Sequence, residues 1–303
     1  MDRTKTHAGL IAVPIALAIT LAASVTLPSC APRPAIVVGS KNFTEQVLLA
    51  EILAQHIERR LHVVVGRKFN LGGTLIAQAA ITSGAIDLYP EYSGTALTAV
   101  LKLPPGKDPA DVRERVRVAY RRQWRLEWLP PLGFNNTFAM MVRGDIARRT
   151  GIRTLSDAAR TQAWKLGAGY EFKQRPDGLA GLLATYRLRT AGDPVTMDLG
   201  LLYAALKSRK VDIIAANSTD GLASVLDVKM LDDDRHYFPP YECAVVARQQ
   251  SLARFPGLKN ALEELSGKLS DPVMRKLNFG VDGEHRPPAQ VAGRFLDSTF
   301  GRR

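Results

Sequence analysis

From residue 36 onward, short apolar runs alternate with longer segments in which apolar side chains recur every three or four positions. The run at 36–38 is apolar throughout and predicts a buried strand, whereas the spacing over 44–60 predicts an amphipathic helix. This alternation continues to the C-terminus and is typical of α/β lobes built on mostly parallel sheets. Further strands are predicted at 62–65, 86–89, 126–129, 137–142, 164–168, 211–216 and 242–247.

Helix-start signals divide the remaining segments. Asp108-Pro109 combines an N-cap residue with a first-turn proline and predicts a helix over 108–124. The Pro-Pro-Leu-Gly sequence at 130–133 predicts a turn between two strands. Other helices are predicted from Gly72-Gly73-Thr74, over 155–163, 178–187 and 199–208, and from near Pro256, Asp271 and Pro287.

Most predicted strands end in a short polar loop that opens the next helix. In open α/β sheets, ligands bind at the carboxyl ends of the strands, because backbone N–H groups and helix dipoles converge there. The chain has 303 residues, which exceeds the usual length of one domain. The pattern therefore predicts a ligand cleft between two lobes. The loops of this kind are 39–42, 71–74, 91–95, 135–137, 172–178, 217–220 and 239–241.

The N-terminus has the pattern of an export signal. A short basic start is followed by an almost wholly apolar stretch over 8–27 and by Leu27-Pro28-Ser29-Cys30, which resembles a bacterial lipobox. We expect residues 1–29 to be a signal peptide, Cys30 to carry a lipid, and the Pro-rich segment 30–35 to be a short tether. The protein would then lie in the periplasm or at the outer face of the cytoplasmic membrane. The alternative is a retained transmembrane anchor with an incidental cysteine.

The net charge of +12, from 41 Lys and Arg against 29 Asp and Glu, first suggests a nucleic-acid partner. The basic residues are instead scattered along helices, without interleaved aromatic residues or a nucleic-acid motif, so we expect a solvated basic surface. Two cysteines are too few for a disulfide framework, and Cys243 lies in an apolar run that predicts a buried core position.

Signals of enzymatic chemistry are poor. The five histidines lack metal-ligand spacing, and no nucleophile elbow, P-loop or dinucleotide fingerprint occurs. Asp232-Asp233-Asp234 has the wrong spacing for a calcium loop and predicts a solvated turn. We expect no catalytic site, no cofactor and no metal. An enzyme that uses a two-lobed scaffold remains as a third hypothesis.

Six segments resemble the substrate-binding proteins of osmoprotectant ABC importers, the glycine betaine/choline/carnitine type. The resemblance covers about 36–300, in order and without a missing block. GSKNFTEQ and YPEYSGT are its specific parts. The segments are VVGSKNFTEQVLLAEI, GGTLIAQAAITSGAIDLYPEYSGTAL, FNNTFAMMV, EFKQRPDGLAGL, VDIIAANSTDG and HYFPPYE.

The resemblance implies the two-lobed periplasmic binding protein fold of type II, with two mixed or parallel sheets flanked by helices and two crossovers. Lobe one would comprise 36–135 plus 243–303, and lobe two would comprise 136–242. Such a protein is a monomer that closes on a small quaternary amine or zwitterion and delivers it to an ABC permease. Osmoprotectants such as glycine betaine and choline are the implied ligands.

In that family, aromatic rings surround the quaternary ammonium and an arginine with loop donors holds the carboxylate. A trimethylammonium group donates no strong hydrogen bond, so each ring face contributes about 0.5–2 kcal/mol of cation–π attraction instead. An arginine fork matches a carboxylate in a bidentate way. The positions that match are Tyr92 and Tyr241 (cage tyrosines), Phe138 (usually tyrosine), Asn217 (aromatic in some members), Arg175 (carboxylate), Lys41 and Thr95 (polar contacts from lobe one) and Asn136 (aspartate in some members).

Each position also has a plainer interpretation. Tyr92 and Tyr241 could pack between the lobes, Phe138 could belong to the core, Arg175 could be solvated, and Lys41 could cap a turn. Thr219 and Asp220 are expected to cap the helix that follows rather than to bind ligand. Because Phe138 lacks a hydroxyl and Asn217 is not aromatic, the alternative ligand is another betaine-like or amino-acid-like solute such as ergothioneine.

Overall fold

The structure, a computed structural model, describes residues 35–301, so the predicted signal peptide and Cys30 lie outside the described residues. Within 35–301 no helix combines the length and apolar character needed to cross a bilayer. The strands are β1 (Ile36–Gly39), β2 (Val65–Lys68), β3 (Leu88–Tyr92), β4 (Leu126–Asn135), β5 (Phe138–Arg143), β6 (Leu166–Ala168), β7 (Val195–Thr196), β8 (Ile213–Asn217), β9 (Val228–Met230) and β10 (Glu242–Arg248).

These strands form two five-stranded mixed sheets, each flanked by helices. The first has the order β2-β1-β3-β10-β4 and the second has the order β7-β6-β8-β5-β9. The helices are α1 (Thr44–Leu61), α2 (Thr74–Thr82), α3 (Ser93–Thr95, continued by a π-helical turn Ala96–Val100), α4 (Pro109–Trp124), α5 (Gly144–Thr150), α6 (Leu155–Thr161), α7 (Tyr170–Gln174), α8 (Leu179–Tyr186), α9 (Leu202–Lys207), α10 (Gln249–Arg254), α11 (Leu258–Glu263), α12 (Asp271–Asp282) and α13 (Pro288–Phe300).

The first sheet is parallel at β2, β1 and β3, and β10 runs antiparallel to both β3 and β4. In the second sheet β7, β6 and β8 are parallel, whereas β5 pairs antiparallel with β8 and β9. The chain crosses from the first sheet to the second between Asn135 and Phe138 and returns before Glu242. We refer to the part built on the first sheet as lobe one and the part built on the second as lobe two.

Apolar side chains cover both faces of both sheets. In lobe one, α1 and α11–α13 bury one face, with Leu48 and Leu296 at 0% exposure, and α2 and α4 bury the other. Lobe two has the same arrangement, with Trp164 fully buried on one face and Ile214 on the other. Burying such side chains contributes about 1.5–3 kcal/mol each. The three-layer architecture follows from strands that are apolar on both sides.

Several predicted boundaries were wrong. The strand predicted at 62–65 begins at Val65, because His62 adopts φ 55° and ends α1 with a left-handed C-cap. The strand predicted at 86–89 lies at Leu88–Tyr92 instead. The predicted turn at 130–133 is part of β4, which accommodates the two prolines through register shifts against β10.

Some elements were missed because they are short. The missed elements contain too few residues to show a periodic pattern of apolar side chains. They are the helical segment Ser93–Val100, α5, α7, β7 and β9. The helix predicted over 108–124 is confirmed, with the Asp108 side chain accepting from the Ala110 N–H. Cys243 is fully buried as predicted, and burial raises the pKa of its thiol.

Candidate functional site

A cleft of about 600 Å³ lies between the two lobes, close to both crossovers. Lobe one contributes the loop after β1, the start of α1 and the end of β3, and lobe two contributes α7 and the ends of β5 and β8. Residues that are far apart along the chain therefore meet around one hollow. The eight ligand-binding positions predicted from the sequence all line it: Lys41, Tyr92, Thr95, Asn136, Phe138, Arg175, Asn217 and Tyr241.

Aromatic rings line the cleft from both sides. The rings of Phe138 and Tyr241 lie 5.7 Å apart between centroids, at 77° to each other. Tyr92 stacks with Phe43 at 6.4 Å, and Phe172 lies edge-on to Phe138 at 4.8 Å. Phe43 and Phe172 also line the cleft but were not singled out in the sequence, because an aromatic residue near a helix start predicts core packing equally well.

Arg175 is buried at 9% exposure, so the interpretation of a solvated arginine was wrong. Its Nε and Nη2 donate to the two carboxylate oxygens of Asp177 at 2.9 and 2.5 Å, and Nη1 donates to Thr95 at 3.0 Å. The guanidinium carbon lies 5.0 Å from the Phe138 ring centroid and 5.7 Å from that of Tyr241. Two of the five N–H groups keep no partner among the described residues and can serve a ligand.

Asp177 neutralises this arginine, a role that no signal in the sequence indicates. Burial raises the pKa of Asp177, but the Arg175 guanidinium and further hydrogen bonds together outweigh it and lower the pKa below its ordinary value. The Tyr241 hydroxyl donates to the same carboxylate at 2.6 Å. The ion pair therefore holds both the guanidinium and the Tyr241 ring in place.

Lys41 is also buried and does not cap a turn. Its Nζ donates to Glu91 Oε1 at 2.5 Å and to Thr74 Oγ1 at 3.1 Å, and it lies 5.2 Å from the centroid of the Tyr92 ring. Both cations of the cleft are thus paired with carboxylates and lie beside aromatic rings. This arrangement keeps each cation in a fixed position without leaving its charge uncompensated.

Glu45, in the first turn of α1, is the principal residue of the cleft that sequence reasoning missed. It is 4% exposed and accepts four hydrogen bonds, which come from Tyr92, Asn136, Thr219 and Asn278. Burial raises the pKa of Glu45, while these hydrogen bonds lower it by less. Glu45 forms no ion pair with any Lys, Arg or His of the described residues, so its carboxyl group lines the cleft without a cationic partner.

The prediction that Thr219 and Asp220 cap a helix was wrong. Asp220 precedes the 3₁₀ turn Gly221–Ser224, yet its carboxylate accepts from the Asn217 N–H at 3.0 Å and the Tyr203 hydroxyl at 3.1 Å. Thr219 donates to Glu45 instead. Burial raises the pKa of Asp220 to about 7. Asp220 lines the cleft, so a second carboxylate joins Glu45 there.

The two lobes are in contact across the cleft. Thr74 donates through its N–H and its hydroxyl to Glu171, Arg175 donates to Thr95, and Thr219 donates to Glu45. No side chain of lobe one caps α2, so Glu171 from lobe two supplies the carboxylate at that helix N-terminus. In the described part of the chain, no group of three His, Cys, Asp or Glu is arranged to hold a metal ion.

The chain is similar in sequence to known transport proteins. It is 34% identical over 88% of its length to the ergothioneine transport permease/ergothioneine binding protein of Helicobacter pylori strain G27, of which it covers 49%, about half the length of that relative. It is 36% identical to the glycine-betaine-binding protein of Pseudomonas aeruginosa, with 86% of each chain covered.

A solved structure and a family model agree with these relatives. The crystal structure of a glycine betaine/carnitine/choline ABC transporter superposes with a TM-score of 0.74 at 31% identity, over 87% of this chain and 98% of that one. The fold is thus that of a type II periplasmic binding protein, and the relatives are solute-binding proteins rather than enzymes. Residues 34–298 match the family model, so the chain belongs to the family of substrate-binding domains of ABC-type glycine betaine transport systems.

Proposed function

We propose that this protein captures a quaternary-amine osmoprotectant, such as glycine betaine or choline, between its lobes and delivers it to the permease of an ABC importer. The observation that carries the proposal is the convergence of Tyr92, Phe138 and Tyr241 with Lys41 and Arg175 on one cleft. Ring faces attract a trimethylammonium group that donates no hydrogen bond. The free N–H groups of Arg175 suit a carboxylate at the other end of the ligand.

Glu45 supports the same proposal. Asn136 stands where some members of the family have an aspartate, and its amide donates to Glu45 at 2.7 Å. Glu45 therefore places a carboxyl group in hydrogen-bond contact with the position where some members of the family have an aspartate. A cationic ligand beside this carboxyl group favours its ionised form, because the attraction between opposite charges offsets the cost of desolvating the carboxylate.

Isothermal titration calorimetry tests the proposal directly. Glycine betaine, choline, carnitine and ergothioneine are each titrated into the purified protein at concentrations up to about 1 mM, where a ligand with Kd near 1 mM still produces measurable heat. We expect at least one of them to bind. The absence of both heat and a thermal shift with all four would refute the ligand class. Glycine, which has no N-methyl groups, serves as the negative control.

A second candidate is another betaine-like or amino-acid-like solute, such as ergothioneine, on the same scaffold. It is supported by Phe138 and Asn217, which depart from the usual rings of the family, and by the relative whose printed name includes ergothioneine. Native mass spectrometry of the protein as purified separates the two candidates, since a co-purified solute adds its own mass. A captured mass equal to that of glycine betaine or choline would exclude the second candidate.

We also propose that residues 1–29 are removed on export, that Cys30 is lipidated, and that 30–35 tether the protein to the outer face of the cytoplasmic membrane. The moving bodies are then 36–135 plus 243–303 and 136–242, in a monomer. Labelling with a tagged fatty acid tests the anchor: we expect the label on the wild-type protein and not on Cys30→Ser. An unlabelled wild-type protein would contradict it.

A further inference from the structure

Lobe one has a second end, opposite to the cleft. The described chain enters lobe one there, where the Ala35 N–H donates to the Val64 carbonyl at 2.9 Å, and β1 then runs toward Lys41 in the cleft. β10 runs the other way, from Tyr241 at the cleft to Arg248, over about 20 Å at about 3.4 Å per residue. We call this end the base of lobe one. It comprises the starts of β1, β3 and β4, the end of β10, the last turn of α4, and α10.

The base is one continuous surface. The Gln249 N–H at the start of α10 donates to the Arg125 carbonyl at the end of α4, at 3.0 Å. Two residues later, the Ser251 hydroxyl donates to Asp87 beside the start of β3 at 2.5 Å, and the Asp87 N–H donates to the Val37 carbonyl of β1 at 2.7 Å. Two strands separate β1 from β4, so their starts lie about 15 Å apart. The point of chain entry and the end of α4 therefore share this surface.

Three exposed arginines of the base have no acidic partner. Arg122 lies in the last turn of α4, Arg125 is its C-cap residue, and Arg254 ends α10. None of the three forms an ion pair with a carboxylate of the described residues. Their positive charges are therefore compensated by solvent ions alone and can interact with an anionic surface outside the protein.

Two carboxylates of the base are already compensated within the protein. The side chains of Asp87 and Glu127 are 19% and 20% exposed, and each lies 3.9 Å from an arginine, Arg248 and Arg121 respectively. They therefore add little repulsion toward an external anion. Val64, beside the point of chain entry, is an apolar side chain at 49% exposure. Unpaired arginines together with exposed apolar side chains suit the interface of an anionic membrane.

We propose that the base of lobe one docks on the anionic phospholipids of the membrane that carries the protein, so that the cleft points away from the bilayer while it collects solute. The inference rests on the proposed tether, because the five residue steps from Cys30 to Ala35 span at most about 18 Å and keep the base close to the headgroups. Attraction by a few charges falls off within a Debye length and is reversible. The protein is therefore free to turn its cleft to the permease.

Vesicle co-sedimentation tests the docking. The mature chain, residues 30–303 with Cys30→Ser, retains every described residue and carries no lipid. At about 0.1 M NaCl we expect it to bind vesicles with about 30% phosphatidylglycerol in phosphatidylcholine at least about tenfold more strongly than vesicles of phosphatidylcholine alone. At about 1 M NaCl the Debye length falls from about 10 Å to about 3 Å, so this preference should disappear.

A triple substitution assigns the preference to the base. We expect Arg122→Gln/Arg125→Gln/Arg254→Gln to bind the anionic vesicles at least about tenfold more weakly. The control replaces three exposed arginines of lobe two, lowers the net charge equally and should bind within about twofold of the unsubstituted protein. It is Arg149→Gln/Arg153→Gln/Arg187→Gln.

Quenching of a fluorophore by nitroxide-labelled lipids tests the orientation. Cys243 is fully buried, so a thiol-reactive fluorophore labels only a cysteine introduced at the surface. Ala253→Cys places the fluorophore on the exposed side of α10, and Leu75→Cys, at 58% exposure near the start of α2, places it at the cleft end of lobe one. We expect the lipids to quench the fluorophore at position 253 and not at position 75.

The outcomes separate this inference from the proposed function. Equal binding to the two kinds of vesicle overturns the docking, and so does an equal loss in both triple variants, because overall charge would then be responsible. Equal or stronger quenching at position 75 overturns the orientation. Glycine betaine is titrated into the same proteins: docking without betaine heat means that the ligand class has failed, and betaine heat without docking means that only this inference has failed. The comparison of vesicles uses the unsubstituted arginines, so a poorly folded variant does not protect the inference.

Discussion

At the scale of single residues, the cleft consists of charges that the protein has already paired or hydrogen-bonded. Arg175 lies against Asp177, Lys41 against Glu91, and Glu45 among four donors. Each side chain is therefore held before any ligand arrives, which reduces the entropy that binding must overcome. A sequence shows which of these residues are charged. It does not show which charges are paired, since Lys41 and Glu91 are 50 positions apart.

Arg175→Lys tests the role of the guanidinium fork. A lysine keeps the positive charge but cannot hold Asp177 in a bidentate way and also donate to a ligand carboxylate. We expect glycine betaine to bind about 2 kcal/mol more weakly, the value of a hydrogen bond to a charged group. Choline, which has no carboxylate, should lose much less affinity in the same titration. Equal losses for the two ligands would contradict the role of Arg175.

Asp220 makes stability depend on pH. Its pKa is about 7 in the folded protein and near 3.8 in an unfolded chain, so between these values the folded protein holds a proton that the unfolded chain has released. The free energy of unfolding therefore falls as the pH rises through this window. We expect Asp220→Asn to gain about 2 kcal/mol relative to wild type between about pH 5 and pH 7, measured by urea unfolding.

The exposed Asp193→Asn is the matched control for this pH dependence, because the same atoms change at a position with no burial. Its free energy of unfolding should depend on pH as that of the wild-type protein does. If the free energy of unfolding of Asp220→Asn also has the wild-type dependence on pH, then Asp220 is ionised in the folded protein throughout the range from about pH 5 to pH 7. The burial of its carboxylate would then cost much less than the structure indicates.

At the scale of elements, segments with a clear apolar pattern or a cap signal were predictable, and several short segments without one were not. The helix over 108–124 has both a cap signal and four turns of periodic apolar residues, and it was predicted to within one residue. By contrast, α7 has five residues and carries Glu171 to the N-terminus of α2, which belongs to the other lobe. Its formation depends on that tertiary contact and on the Phe172 side chain buried in the core of lobe two.

Gly221 tests the contact between the 3₁₀ turn Gly221–Ser224 and α12. A Cβ at this position would lie 2.2 Å from the backbone nitrogen of Phe279, and a helix backbone cannot yield easily. We expect Gly221→Ala to separate the turn from α12 and to weaken the hydrogen bonds of Thr219 and Asn278. Ligand affinity should fall at least about tenfold in calorimetry.

Gly280→Ala is the control for this substitution, since it lies in the same helix and its Cβ would meet the Val291 side chain at an ordinary 3.4 Å. We expect it to bind ligand as the wild-type protein does. Unchanged affinity in Gly221→Ala would mean that the close approach of the turn to α12 has no part in forming the cleft.

At the scale of the whole molecule, each sheet has its own core, and the two lobes meet through two crossovers, polar contacts across the cleft and two aromatic residues, Phe138 and Phe238, that pack against both cores. For two lobes joined in this way beside a cleft, relative motion is the expected behaviour. The contacts of Glu171 with Thr74, Arg175 with Thr95 and Thr219 with Glu45 all join the lobes across the cleft. Each of them depends on closure.

Glu171→Ala should shift the protein toward an open form. The change removes the carboxylate at the N-terminus of α2 and leaves the Thr74 N–H without its partner. We expect a larger radius of gyration of the ligand-free protein by small-angle X-ray scattering, and ligand affinity about tenfold lower. The free energy of unfolding should change by less than about 1 kcal/mol.

Glu114→Ala, at an exposed position of α4, is the control for the loss of a carboxylate and should change none of these three quantities. A ligand-free Glu171→Ala protein with the wild-type radius of gyration would show that Glu171 does not hold the lobes together. A lower affinity without any change in radius would assign Glu171 to the ligand site instead of to closure.

The amino-acid sequence by itself determined the class of fold and the approximate element order, because apolar periodicity is a local property of the chain. The eight positions that line the cleft came from its resemblance to a known family. The tertiary structure alone decided the pairing of Arg175 with Asp177, the burial of Glu45 and the turn of Asp220 away from its cap position. Those features depend on side chains up to 233 positions apart, as in the contact of Asn278 with Glu45. Burial and hydrogen bonding between such distant groups arise only when the lobes have folded and come together.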